Sequence, residues 1–208
     1  MVYPMTVAGV KRDLPLCKIN DNLTIAAFVI FGDVELTCAC ARELLKKAPE
    51  FDYMVAPEAK AIPLIHEMAR QSGRNEYFLV RKKKKAYMNG VFETVDKSIT
   101  TDGEQKLYMD GADAAKMKGK RILILDDVIS TGGSISAVEN LVEQAGGKVV
   151  GKMAILAEGD AANRDDIIYL DKSQMDFGYR HSIIQNNKYV VLGAEFNLKK
   201  EPQEKIKE

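Results

Sequence analysis

Short apolar runs alternate along the chain with segments whose apolar residues recur at helical spacing. The apolar runs predict strands at Tyr53 to Ala56, at YFLV within Glu76 to Arg81, at Arg121 to Leu125, and at Val149 to Ala157. The periodic segments predict helices at Val34 to Lys47, Ile62 to Gln71, and Ser134 to Ala145. Strands that alternate with helices in this way predict an α/β fold, in which a parallel sheet is flanked by helices.

Two stretches and one residue stand apart from this alternation. Val91 to Met109 is polar and offers few core residues, so we expect it to be a connecting segment. Ser173 to Glu208 contains a strand-like run and a charged end. His66 shares the apolar face of the second helix, which predicts a buried or half-buried histidine.

Composition narrows the class of protein. A length of 208 residues, with 46% hydrophobic and 29% charged residues, suits one domain over residues 1–208. Thirty basic residues balance thirty acidic ones, so we expect neither a nucleic acid nor a membrane as partner. Three cysteines without a bridging pattern and the absence of a leader-like start predict a cytoplasmic protein.

The stretch ILILDDVISTGGS, from Ile122 to Ser134, carries the most chemistry. Asp126 and Asp127 follow a buried strand, at the edge of a parallel sheet where ligands bind. Two adjacent carboxylates suit the neighbouring hydroxyls of a ribose. The glycines of the loop that follows permit close backbone approach, its hydroxyls add donors, and the helix start favours an anion. We therefore expect this loop to bind a ribose 5-phosphate through Ser130, Thr131, Gly132, Gly133 and Ser134.

The same stretch resembles the diphosphoribosyl-binding signature of type I phosphoribosyltransferases. The resemblance implies their fold, with a small hood subdomain from about residues 1–30 and 170–208. It also implies phosphoribosyl diphosphate (PRPP) as substrate and the exchange of pyrophosphate for a nitrogenous base at C1 of ribose. Mg²⁺ is the implied cofactor, held by PRPP and water rather than by the protein directly. Asp126 and Asp127 take catalytic roles in this interpretation, since they would stabilise positive charge at C1.

Two upstream segments fit the same resemblance. In APEAKAIP, the residues that would hold pyrophosphate are Ala59, Lys60 and Ala61, although a plain strand-to-helix turn would look similar. The run VRKKKKAY resembles the RKxxK segment of adenine phosphoribosyltransferases, which maps to Arg81, Lys82 and Lys85. In relatives that segment can reach the neighbouring subunit's site, so the resemblance implies a homodimer. A solvated basic face is the plainer alternative.

The choice of base rests on weaker signals. The family places a lid within Glu93 to Gly111, with Ser98, Thr100 and Thr101 as candidate contacts and Glu104 as a candidate general base. The segment VKRDLPL resembles the FRDI segment of adenine enzymes, which gives Arg12 a base-binding role or, alternatively, a surface ion pair. We expect a purine-salvage enzyme that prefers adenine. The alternatives are a xanthine, hypoxanthine or orotate enzyme, or a non-catalytic regulator that senses PRPP.

Overall fold

The computed structural model describes residues 2–20, 23–96, 105–158, 161 and 163–172. The chain divides into two compact units: one holds residues 1–3, 14–27 and 175–208, and the other holds residues 4–13 and 28–174. Much of the expected hood, including residues 173–208 with their strand-like run, lies outside the described residues. The expectation of one domain with a hood from its two ends stays a prediction.

The helices are α1 (Val34–Lys47), α2 (Ile62–Gln71), α3 (Gly111–Met117) and α4 (Gly133–Gln144). The first strands are β1 (Val2–Val7), β2 (Val10–Asn20), β3 (Leu23–Ala26), β4 (Tyr53–Pro57) and β5 (Phe78–Val80). The remaining strands are β6 (Phe92–Asp96), β7 (Gln105–Met109), β8 (Arg121–Ile129), β9 (Lys148–Ala157) and β10 (Ile168–Lys172). The sequence pattern assigned no element to residues 2–26, where β2 runs antiparallel to β3.

A five-stranded parallel sheet forms the centre of the larger unit, in the order β10-β9-β8-β4-β5. Val55 of β4 lies opposite Ile124 of β8 on one side and Phe78 of β5 on the other. Ile124 belongs to a buried cluster that includes Val138 and Leu141 of α4. The prediction of an α/β fold with a parallel sheet and flanking helices is confirmed.

The helix ends follow from local chemistry. Asp33 caps α1, because its side chain accepts a hydrogen bond from Leu36 N at 3.1 Å. Pro63 lies in the first turn of α2, where its missing N–H costs no helical hydrogen bond. Gly132 precedes α4 in the left-handed conformation, with φ 80°.

The expectation that residues 91–109 merely connect two elements was wrong. β6 and β7 pair antiparallel, with Phe92 opposite Met109. Leu107 and Met109 are buried because alternate residues of β7 face the same side and join the core cluster. The backbones of Tyr108 and Arg81 exchange two hydrogen bonds of 2.8 Å, so this hairpin is fastened to the chain just after β5.

Two further expectations need correction. His66 is exposed and meets the Tyr77 ring edge-on at a centroid distance of 6.0 Å, while its neighbour Glu67 is buried instead. Glu67 can be buried because Arg70 and Gln71 donate hydrogen bonds to its carboxylate. The strand expected to end at Leu125 continues to Ile129, because β9 still pairs with it there.

No helix among the described residues is long and apolar enough to span a membrane.

Candidate active site

Asp126 and Asp127 lie at the point in the sheet where the connections that follow two neighbouring strands, β4 and β8, run to opposite sides. From β4 the chain crosses to β5 on one side, and from β8 it crosses to β9 on the other. β8 pairs with β4 only as far as Ile124, so the two acids lie just past the point where these strands separate. In open parallel sheets this reversal of direction, at the carboxyl ends of the strands, is where ligands bind.

Both acids are buried, with only 9% of Asp126 and 4% of Asp127 exposed. The backbone N–H of Asp127 donates to Asp126 Oδ1 at 2.9 Å. Burial raises the pKa of Asp126 well above its ordinary value of 3.8, and the neighbouring Asp127 carboxylate raises it further. Among the described residues, the buried Oδ2 of Asp127 has no hydrogen-bond partner. A buried acceptor without a donor is unfavourable, so this pair is well suited to hydroxyl groups of a ligand.

The loop from Ser130 to Ser134 follows the acids and leads into α4. Gly132 takes φ 80° and ψ 5°, and its carbonyl accepts the first helical hydrogen bond, from Ser136 N at 3.0 Å. Within the described part of the chain, α4 has neither a side-chain cap nor an acidic residue in its first turn. α1 has both, in Asp33 and Glu35. Gly133 N makes one long hydrogen bond of 3.5 Å to Thr131 Oγ1, and the positive end of α4 favours an anion.

The two predicted pyrophosphate segments adjoin each other at the ends of β4 and β5. Pro57 lies opposite Val80 in the sheet, and Glu58 N donates to Val80 O at 2.9 Å. The peptide bond between Glu58 and Ala59 is cis. Ala61 is buried at the start of α2, whereas Ala59 and Lys60 are exposed. The loop therefore exposes its lysine to solvent.

Glu58 joins these segments, and sequence reasoning missed it. Its Oε1 accepts a hydrogen bond from Lys82 N at 2.6 Å, and its Oε2 lies 2.9 Å from Arg81 Nε. The Arg81 Nε–H nevertheless lacks hydrogen-bond geometry to any described partner, so the contact is an ion pair alone. The sequence did contain a signal for this contact, namely an acidic residue at the end of one predicted strand and a basic run at the end of the next. These two strands are parallel neighbours in the sheet.

Charge links the basic segment to the acid pair. The ammonium group of Lys82 acts on Asp126 and lowers its pKa, against the larger effects of burial and of Asp127. Lys82 is exposed, and Lys85 is half-buried. The described part of the site thus combines buried carboxylates, a helix start that favours an anion and a cationic rim.

Arg12 is engaged in an ion-pair network. Its Nε and Nη2 donate to Asp33 at 2.6 and 2.9 Å, and Nη2 also donates to Glu35 at 2.8 Å. These bonds raise the pKa of Arg12 and lower that of Asp33. The surface ion pair therefore exists, and the base-binding role stays a prediction. Ser98, Thr100, Thr101 and Glu104 lie outside the described residues.

The acid pair offers an oxygen donor to a divalent cation. Among the described residues, no group of three or more acidic, histidine or cysteine side chains is placed to hold a metal ion. The unpartnered Asp127 Oδ2 is a hard oxygen donor of the kind that Mg²⁺ and its bound water prefer. The acid pair therefore fits Mg²⁺, either directly or through a bound water.

Comparison with known proteins places this geometry in a family. A model of the phosphoribosyl transferase domain matches residues 39–181. The adenine phosphoribosyltransferase of Thermotoga petrophila is 38% identical over 109 residues, which cover 52% of this chain and 60% of that protein. The hypoxanthine/guanine phosphoribosyltransferase of Methanococcus voltae is 29% identical over 135 residues, which cover 65% of this chain and 68% of that protein.

Solved structures share the fold. The adenine phosphoribosyltransferase of Thermoanaerobacter pseudethanolicus superposes with a TM-score of 0.62 at 22% identity, over 82% of this chain and 94% of that one. At that identity the likeness establishes the fold alone. The matched part of this chain spans about 60% of the length of the first adenine enzymes it resembles in sequence.

Proposed function

The chain belongs to the phosphoribosyl transferase domain family, and from that premise we propose that it transfers the phosphoribosyl group of PRPP to a purine, preferably adenine. The observation that carries the proposal is the buried acid pair, with Asp127 Oδ2 unpartnered in the described structure, directly before an anion-binding helix start. The pair offers acceptors for two ribose hydroxyls, and the loop offers donors for the 5′-phosphate. A ribose 5-phosphate end satisfies both.

The diphosphate end would lie toward the basic rim. Lys60 and the backbone of Ala59 and Ala61 would bind it on one side, and Arg81, Lys82 and Lys85 on the other. Glu58 positions both segments by bonding to Lys82 and pairing with Arg81. Cationic groups at this end stabilise the negative charge that builds up as pyrophosphate departs.

The transfer exchanges one bond at C1 for another. The bond from C1 to the diphosphate oxygen breaks, and pyrophosphate leaves with the electron pair. Ring nitrogen N9 of the purine then bonds to C1 and loses its proton. Asp126 and Asp127 stabilise the positive charge that develops on the ribose between these events. Mg²⁺, when bound with PRPP, would supply further neutralisation of the diphosphate.

The remaining roles rest on the family resemblance. Glu104 would take the proton from N9, Ser98, Thr100 and Thr101 would close over the substrate, and Arg12 would contact the base. A lid matters because water would otherwise capture the ribosyl group. A homodimer, whose basic segments reach across to the neighbouring site, and a cytoplasmic location complete the proposal. The three cysteines are free, which is compatible with a reducing compartment.

Oxopurines are the second candidate class of base. A hypoxanthine/guanine phosphoribosyltransferase, that of Methanococcus voltae, is among the sequence relatives of this chain. Adenine is preferred because the RKxxK-like segment and VKRDLPL both resemble adenine enzymes.

Calorimetric titration of PRPP with Mg²⁺ tests the ligand assignment. We expect Asp127→Ala and Thr131→Ala each to weaken PRPP binding by about tenfold or more, because each removes a polar contact of about 1.4 kcal/mol. Asp52→Asn is the matched control, since Asp52 pairs with Arg121 at the opposite end of β8. Near-native affinity in both site variants would contradict the assignment.

A further inference from the structure

The side chain of Arg164 fills the space beside Gly132. A Cβ added at Gly132 would overlap Arg164 Nη1 and would lie 3.4 Å from its Cζ. Gly132 is the left-handed residue at the start of α4, in the centre of the proposed phosphate loop. The absence of a side chain at this position is therefore what lets a guanidinium group approach the loop backbone.

The segment that carries Arg164 is fastened to the same loop by its backbone. Glu158 N donates to Ile129 O at 2.9 Å, and Ala161 N donates to Ser130 O at 3.2 Å. Arg164 N in turn donates to Ala161 O at 3.2 Å. These bonds hold the chain after β9 against the chain after β8, so the approach of Arg164 is built into the fold.

A network of ion pairs orients the guanidinium of Arg164. Its Nε and Nη2 donate to the two oxygens of Asp166 at 2.8 and 2.7 Å. Asp166 also accepts from Lys152 at 3.0 Å, and Lys152 pairs with Glu139 of α4 at 2.8 Å. A guanidinium has five donor protons in a rigid plane. With Nε and Nη2 fixed on Asp166, Nη1 beside Gly132 has no hydrogen-bond acceptor among the described residues.

We propose that Arg164 is a binding residue for the 5′-phosphate of the substrate, an inference that rests on the proposed function. The loop from Ser130 to Ser134 contains no basic residue, so its own donors are neutral. A phosphate monoester carries close to two negative charges, and charge-assisted bonds from a guanidinium are stronger than those from neutral donors. Arg164 supplies that charge, and Asp166 holds it in place without consuming its Nη1 protons. Sequence reasoning did not single out this residue.

The test separates the two ends of the substrate by titrating ribose 5-phosphate and pyrophosphate as separate probes, each with Mg²⁺. Arg164→Gln is expected to weaken ribose 5-phosphate binding by about tenfold and to leave pyrophosphate binding within about twofold. Arg164→Lys should restore part of the loss, because it keeps the charge. Arg121→Gln is the matched control, since Arg121 forms a similar pair with Asp52 at the far end of β8. It should change neither titration.

Asp166→Asn is a second variant, which separates the charge of Arg164 from the fixed position of its side chain. It can be used if Arg164→Gln does not fold. This variant keeps the charge of Arg164 but removes the ion pair that orients it, so ribose 5-phosphate binding should weaken by a smaller factor than in Arg164→Gln, while pyrophosphate binding stays within about twofold. Equal effects on the two probes in Arg164→Gln or in Asp166→Asn would overturn the inference. If the unaltered protein binds neither probe, the proposed function itself fails. If it binds both and Arg164→Gln matches it, only the role of Arg164 fails.

Discussion

Asp126 lies in an environment that disfavours the ionised form of its carboxyl group. Its carboxyl is buried, its chain neighbour is a second carboxylate, and the exposed ammonium of Lys82 offsets these effects only in part. Such an arrangement lowers the stability of the free chain. It is retained, in the proposed function, because the same two carboxylates face the ribose.

The pH dependence of stability follows from the raised pKa of Asp126. Above its unfolded value of about 3.8, the folded chain binds a proton at this site more readily than the unfolded chain does. The contribution of Asp126 to folding stability is therefore fully present below pH 3.8 and is lost as pH rises through the folded-state pKa. Asp126→Asn removes the charge and keeps an oxygen that can accept from Asp127 N.

We accordingly expect Asp126→Asn to be more stable than the unaltered protein at about pH 7, by about 1–2 kcal/mol, while transferring poorly. The advantage should shrink as pH is lowered toward 4. Thermal unfolding of the variant and of the unaltered protein at a series of pH values measures the difference in stability and its change with pH. A variant that is less stable than the parent at neutral pH would show that the Asp126 carboxylate is satisfied in the free chain.

The order of residues around the site was visible in the sequence, but their electrostatics were not. An apolar strand, two acids and a glycine loop are local features, so thirteen adjacent residues sufficed to predict them. The contacts of Glu58 with Lys82 and of Arg164 with Gly132 join residues far apart in the chain. They depend on which strands become neighbours, and no local pattern reports that.

At the scale of elements, the β6–β7 hairpin supports the basic segment. Tyr108 of β7 exchanges backbone hydrogen bonds with Arg81, and the adjacent Leu107 is buried in the core cluster. Of the helices in the described residues, α1, α2 and α4 were predicted within a residue or two because each buries one apolar stripe, whereas the short α3 was not predicted. The hairpin was missed because β6 and β7 are short and pair with each other. Both strands lie within one segment whose sequence is mostly polar.

Leu107 tests whether this hairpin is part of the core. We expect Leu107→Ala to lower the free energy of unfolding by about 2–4 kcal/mol, since it leaves a cavity in a fully packed site. The control is Lys106→Ala, one residue away on the exposed face, which should change stability by less than about 0.5 kcal/mol. Denaturant unfolding measures both variants. Similar small effects would instead indicate a loosely attached connecting segment, as the sequence pattern suggested.

At the scale of the whole molecule, the fold alone does not determine the base. Sequence relatives include both adenine and hypoxanthine/guanine enzymes, and the family match covers residues 39–181. Arg12, the candidate base contact, lies before that region, and Glu104 lies outside the described residues. Adenine presents a donor at its six-position, whereas oxopurines present an acceptor there. A site built for one leaves a buried polar group unpaired with the other, and that can cost several kcal/mol.

Steady-state release of pyrophosphate from saturating PRPP, measured with adenine, hypoxanthine, xanthine and guanine in turn, tests the central claim most directly. The proposed function predicts turnover with adenine, at a kcat/KM at least about tenfold above that of any oxopurine. A higher kcat/KM with an oxopurine would contradict the adenine preference and leave transfer intact. No release with any base, in protein that still binds PRPP, would contradict transfer itself and favour a regulator that senses PRPP.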